Sequence, residues 1–204
     1  PLAQRRIRAF AANRRALTAL VVFVAVFVLT LFAELIANDR PLLLKYNGKL
    51  YFPVLFEYTE QEFGGDFPTP ADYRDEFVRQ NIEKSGWMIM PPVPFSFNTV
   101  DYDLTTPTPA PPSSRHWLGT DDEGRDILAR ILYGIRLSVV FAFLLTMVSS
   151  LIGISAGAVQ GYFGGRVDIF MQRFMEIWES LPQLFILIIV ASIFVPTFWS
   201  LLII

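Results

Sequence analysis

Three carboxylates and a glutamine late in the chain could place polar groups where polarity is expensive. Asp168, Gln172, Glu176 and Glu179 follow one another at spacings of four, four and three, so they share one face of a helix. Val167, Phe170, Met171, Phe174, Ile177 and Trp178 fill the other faces. A carboxylate in the middle of a membrane helix costs roughly 2.5–3.5 kcal/mol unless it faces a partner or water. Two readings are open. The stripe lines a hydrated path through a helix bundle, or its first turns lie at the membrane surface with Arg173 neutralising Asp168 or Glu176. A second concentration of charge opens the stretch HWLGTDDEGRDILARILYGIRLSVVFAFLLTMVSSLIG, His116 to Gly153. Asp121, Asp122, Glu123, Arg125, Asp126, Arg130 and Arg136 crowd its first half, and no charged residue follows until Arg166.

Neither concentration makes a catalytic set. No G-x-x-x-x-G-K-[ST] loop is present to cradle a nucleotide. No G-x-S-x-G nucleophile elbow occurs. His116 is the only histidine and there is no cysteine, so neither a zinc centre nor a thiol nucleophile is expected. A membrane peptidase would need a nucleophile–base pair that the sequence does not offer. The reading is therefore of a chain without catalytic residues, metal or cofactor of its own. A net charge of −2 gives no basic field for nucleic acid.

The elements that would position these residues are apolar. The chain is 53% hydrophobic with a mean hydropathy of +0.43, more apolar than a usual soluble domain. Ala16 to Ala33 carries no charge, Leu137 to Val159 none over 23 residues, and Leu184 to Val195 is apolar apart from Ser192. A helix needs about 20 such residues to cross a bilayer. Arg5, Arg6, Arg8, Arg14 and Arg15 precede the first block without an acid among them, which places the N-terminus on the cytoplasmic side. Residues 1–37 then form a cytoplasmic start and a first transmembrane helix, read as an uncleaved anchor rather than a signal peptide.

Residues 38–115 become an external segment. From Asn38 to Glu123 there are fourteen acids and seven bases, and eleven of the fourteen prolines lie between Pro41 and Pro112. Proline removes a donor and fixes φ. The spacing predicts short strands at Lys49–Phe56 and Trp87–Met90, a short helix near Asp72–Glu83, and a stiff spacer at Thr105–Ser114. The expectation is a small, irregular cap packed on the membrane part.

Residues 116–136 read as an amphipathic helix at the outer surface. Thr120 or Asp121 would cap it, with Ile127, Leu128, Ile131, Leu132 and Ile135 on its apolar face. Residues 137–204 form the core: a small-residue helix, a glycine turn at QGYFGG, and the striped segment. The stripe would run on into Leu184–Val195 as one long helix strained at Pro182. Pro196 would end it, and Phe198 to Ile204 reads as the start of a fourth span on which the sequence stops.

The segments LGTDDEGRDILARILYGIRLSV and GYFGGRVDIFMQRFMEI, followed by a proline and an apolar run, closely resemble the second, C-type permease subunit of dipeptide/oligopeptide ABC importers. The residues that carry the motif are Gly119, Thr120, Asp121, Gly124, Arg125 and Asp126, then Gly161, Gly164, Gly165 and Asp168. PLLLKYNGKLYFPVLF and the SGW at Trp87 are similar to the microcin C (Yej-type) permeases within that class. The resemblance implies an all-α membrane protein, the N-terminal part of a type I importer domain of about six helices. It implies an irregular external insert between the first and second helices. It implies a homologous permease partner, two cytoplasmic ATPase domains carrying ATP-Mg, an external solute-binding protein, and a peptide or peptide-conjugate substrate. The ATPase-coupling loop of that family would lie beyond residue 204. The rival reading is a membrane-anchored external binding or sensor module without transport activity.

Overall fold

The computed structural model describes residues 2–195 and 197–203 of the 204. They divide into two units, Pro1–Arg136 and Leu137–Ile204, each described by itself.

The first unit starts with helix α1, Leu2–Ala12, which carries Arg5, Arg6 and Arg8. Asn13 leaves helical geometry and accepts the Ala16 amide with its side chain, so a new helix, α2, runs from Arg14 to Leu31. A short turn, α3, Ala33–Ile36, follows. Strand β1, Leu43–Tyr46, turns through Asn47 and Gly48 into β2, Lys49–Tyr51. Both turn residues have positive φ, 48° and 79°, the conformation a two-residue hairpin requires. A 3-10 turn at Glu60–Phe63, helix α4 at Glu76–Ser85 and strand β3 at Gly86–Ile89 complete the small sheet. Its order is β2-β1-β3, antiparallel throughout.

Two small cores hold this unit. In one, Phe63 is fully buried with Leu44, Tyr73, Val78 and Ile82 around it. The rings of Tyr46, Tyr51, Tyr58 and Tyr73 meet it edge-on at 5.4–6.4 Å, the geometry aromatic quadrupoles favour. Asp75 caps α4 by accepting the Phe77 and Val78 amides. In the other core, Ala33, Ala37, Val93 and Phe95 bury against Ala129 and Leu132. Here the segment after α3 closes on the start of the long helix α5, Ile127–Phe163. The Tyr133 hydroxyl donates to the Ala37 carbonyl at 3.1 Å, and Arg136 pairs with Glu34 at 2.8 Å.

Several expectations are corrected. The helix expected from Thr120 or Asp121 starts at Ile127 and continues unbroken for 37 residues, so residues 116–136 are not an element of their own. Residues 116–126 are a loop with its own hydrogen bonds, and the acids read as a first helical turn serve that loop. The packed face centres on Ala129 and Leu132, while Ile131 is exposed. The external segment holds a helix and two strands close to those expected, α4, β2 and β3, and one strand that was not expected, β1. The strand expected to reach Phe56 ends at Tyr51 because Pro53 cannot continue a ladder.

In the second unit, α5 ends at Phe163 and α6, Gly165–Glu179, begins through Gly164 and Gly165, both at positive φ. Gly161 lies inside α5 instead of in the turn. The single long helix expected through Pro182 is two helices: α7, Gln183–Ile193, follows a break at Ser180–Pro182, and the axes differ by 71°. Proline lacks the amide that would continue the ladder, and it disfavours helical geometry at Leu181 before it. Helix α8, Phe198–Ile203, follows, with Phe198 edge-on to Phe141 at 5.4 Å. Pro196, read as the break before it, lies outside the described residues. Among the described residues two helices are long and apolar enough to cross a membrane, Arg14–Leu31 and Ile127–Phe163, and the bent pair of α6 and α7 makes a third if it forms one span.

Candidate functional site

The best-defined polar assembly sits at the head of α5, and its centre is a histidine. His116 is 2% exposed and lies between two buried carboxylates. Its Nδ1 is 2.8 Å from Asp126 Oδ2 and its Nε2 is 3.0 Å from Asp101 Oδ2. With both carboxylates ionised, each ring nitrogen must donate, which is the imidazolium form. A cation between two anions is the arrangement a buried charge cluster needs, since removal of one member leaves the others unpaired. The other oxygen of Asp126 accepts the Ala129 amide at 2.8 Å, so the same carboxylate caps α5.

Asp101 has further partners. Arg74 Nη2 reaches its Oδ1 at 3.2 Å, and Arg115 spans both oxygens, each at 3.1 Å. Phe95 underlies the group: its ring is 4.4 Å from that of His116, and the Arg74 and Arg115 guanidinium carbons lie 4.9 and 5.4 Å from its centroid. Burial alone would raise the Asp101 pKa. The His116 hydrogen bond, the Asp103 amide, and the charges of Arg115 and Arg74 outweigh burial and hold the carboxyl below the usual range.

The motif residues form a knot beside this cluster. Thr120 exchanges two hydrogen bonds with Ala110: its amide donates to the Ala110 carbonyl at 3.0 Å, and its Oγ1 accepts the Ala110 amide at 2.9 Å. Gly119 has φ +79°, and a Cβ there would stand 2.4 Å from the Ala110 carbonyl oxygen, so both its conformation and its contact require glycine. Gly124, also at positive φ, accepts the Asp101 amide. Asp121 accepts the Glu123 and Arg125 amides at 3.0 and 2.8 Å and pairs with the Arg125 and Arg130 guanidinia. Burial would raise this carboxyl too, but those amide and guanidinium bonds lower it overall. The structure thus brings Gly119, Thr120, Asp121, Gly124, Arg125 and Asp126 into one knot. Of the other motif positions, Gly164 and Gly165 form the α5–α6 turn.

Acid should loosen this knot. A carboxylate whose folded pKa is depressed contributes stability above its ordinary value, here 3.8. That stability is lost as pH falls through the lower folded value. A tryptophan-fluorescence titration of the detergent-solubilised protein should show a cooperative loss of head structure only below about pH 4. A transition centred near pH 6 would contradict this.

The stripe residues lie on α6. Gln172 Nε2 donates to Asp168 Oδ1 at 3.0 Å, and Arg173 pairs with Glu176 at 2.5 Å. Gln172, Glu176 and Glu179 are exposed and Asp168 is half-buried. Arg173 and Glu176 thus form an exposed pair one turn apart on α6. Sequence reasoning passed over His116, Asp101, Arg74, Arg115 and Phe95. Their partners lie ten to twenty-seven residues apart, beyond the reach of local pattern. The one available signal was a lone histidine ahead of a charged, glycine-punctuated loop. Among the described residues no group of three His, Cys, Asp or Glu could hold a metal ion.

Comparison with known proteins gives relatives of one kind. The chain is 47% identical over 202 residues to the inner membrane ABC transporter permease protein YejE of Escherichia coli K12, across 99% of this chain and 59% of that protein. It is 41% identical over 226 residues to the peptidoglycan transport system permease protein YejE of Agrobacterium fabrum, with the same coverage. The dipeptide transport system permease protein DppC of Bacillus subtilis is 41% identical over 86 residues, 42% of this chain and 27% of that protein. The chain therefore spans about three-fifths of the length of the two YejE relatives. No family model matches it.

Proposed function

The chain is a relative of the permease subunits of peptide ABC importers, of the Yej type, and from that premise we propose that it is the N-terminal part of such a subunit, importing peptides or peptide conjugates across the bacterial inner membrane. The observation that carries this reading is 47% identity to a YejE permease along nearly the whole chain. The two long apolar helices and the bent third pair fit it. Most of their large hydrophobic side chains are exposed in the isolated chain, as lipid and neighbouring helices would require. Nothing in the relatives favours an anchored sensor.

In this reading the whole subunit has about six helices and forms half of a translocation pathway with a homologous permease. Two cytoplasmic ATPase domains bind ATP-Mg, and an external solute-binding protein delivers cargo. Residues 38–126 face outward, and the turn at Gly164–Gly165 faces the cytoplasm. The cargo class rests on the relatives' names, which concern peptidoglycan, dipeptide and oligopeptide transport; a peptide-bearing solute is their common ground. The α6 stripe meets the hydrated path.

Cells lacking the full-length protein should become resistant to a toxic imported peptide conjugate, and the wild-type protein should restore sensitivity. Complementation with Asp168→Ala or Glu176→Ala should restore assembly but leave uptake about tenfold lower, the effect of losing roughly 1.4 kcal/mol at a hydrated charge. Continued uptake in the deletion strain would remove the import reading. Full uptake by both variants would remove the stripe from it.

A further inference from the structure

Strand β3 is an edge of its sheet, and a cleft of about 750 Å³ opens along it. Asn47 donates to the Ser85 carbonyl and Leu42 to the Ile89 carbonyl, so both of those carbonyls face β1. Bonded and non-bonded pairs alternate along an antiparallel ladder, and the register pairs Lys45 with Trp87 and Leu44 with Met88. It follows that Trp87 is bonded to β1, while the amide and carbonyl of Gly86 and Met88 point away from it, toward the side where no strand pairs. Unpaired edges of this kind are templates for another extended chain.

The cleft beside that edge has the character of a peptide site. Trp87, Met88, Met90 and Phe95 supply apolar surface, and Arg79 and Arg115 stand on its walls. Trp87 is 42% exposed. Arg79 and Arg115 are about half exposed; Arg115 is anchored on the buried Asp101, and its outer contact to Asp103 at 3.5 Å, like that of Arg79 to Glu83 at 3.1 Å, is an exposed one that an incoming carboxylate can displace at little cost. The volume suits a short ligand, and the four residues of β3 extend over about 13 Å, the length of a four-residue partner strand. We infer that this cleft binds an extended peptide of the imported cargo by strand addition to β3, its backbone bonded to Gly86 and Met88 and its carboxylate end at Arg115 and Arg79. Main-chain bonding recognises any sequence, and the flanking apolar side chains favour apolar residues. The inference rests on the import reading for the identity of the ligand only.

The test uses the full-length permease in detergent and a fluorescein-labelled peptide, Ala-Val-Ala-Leu-Ala, with a free carboxylate. Two analogues are compared, one N-methylated at residues 2 and 4, the other at residue 3. Strand addition uses amides of one parity, so one analogue should bind about tenfold more weakly and the other should match the parent. Trp87→Ala should weaken the parent about tenfold, which localises the site. Equal binding by both analogues, no binding of the parent, or unchanged binding by Trp87→Ala overturns the inference. Uptake of the parent by cells is measured in parallel. Uptake without a parity effect overturns the strand addition and leaves the import reading standing; a parity effect without uptake does the reverse.

Discussion

Replacing His116 by alanine should unfold the head of the chain. The imidazole lies between Asp101 and Asp126 at 3.0 and 2.8 Å, and all three side chains are buried. Without it, two carboxylates face one another across an apolar gap above Phe95. Breaking a buried pair from one side costs about 3–5 kcal/mol, a large share of the stability of a small domain. Asp101 keeps Arg74 and Arg115, so the damage concentrates on Asp126 and on the first turn of α5 that it caps. The variant should therefore lose the thermal transition of the head in detergent and expose residues 101–126 to protease. Adding Asp126→Asn should return part of the loss, because asparagine still caps the helix and the stranded charge is gone. A second change that repairs the first is a coupling only a charge cluster explains. An unchanged melting temperature in His116→Ala would mean that the cluster contributes nothing.

Gly86→Ala should separate β3 from β1. Gly86 is extended, so its conformation alone would tolerate any residue. The contact does not: a Cβ there would lie 1.7 Å from the Lys45 carbonyl oxygen and 2.7 Å from its carbon. Both are backbone atoms of β1, which cannot rotate aside. Overpacking of this sort costs about 1–3 kcal/mol and more where backbone must move. Met88 would be drawn out from beside Leu44, loosening the core around Phe63. Faster hydrogen exchange at Leu43–Tyr46 with α5 still protected is the expected signature, and wild-type protection of β1 would contradict it.

Apolar periodicity and turn chemistry made the spans and the glycine turn legible, because a block such as Leu137–Val159 admits little else. The start of α5 was harder. Asp121, Glu123 and Arg125 have the composition of a first helical turn, and only tertiary context turns their side chains onto the loop's own amides. The β1–β2 hairpin was readable in principle: Asn47–Gly48 between Leu43–Tyr46 and Lys49–Tyr51 is a two-residue turn signal, and it was passed over in favour of a longer second strand. Two of the nearer predictions, the strand at Trp87 and the helix near Asp72–Glu83, fell within a few residues of β3 and α4. The knot residues stood out as a motif, but nothing local linked them to Asp101 or to Arg74.

The bond from Arg136 to Glu34 joins residues 102 apart, and that separation governs biogenesis. A ribosome adding about 5–20 residues per second needs roughly 5–20 seconds to bring the arginine out after the glutamate. Throughout that interval the glutamate beside the first apolar helix has no counter-ion, and Ala33 and Ala37 wait for Ala129 and Leu132. A nascent chain paused within this window lacks both contacts, and the clasp closes only when the second long helix arrives.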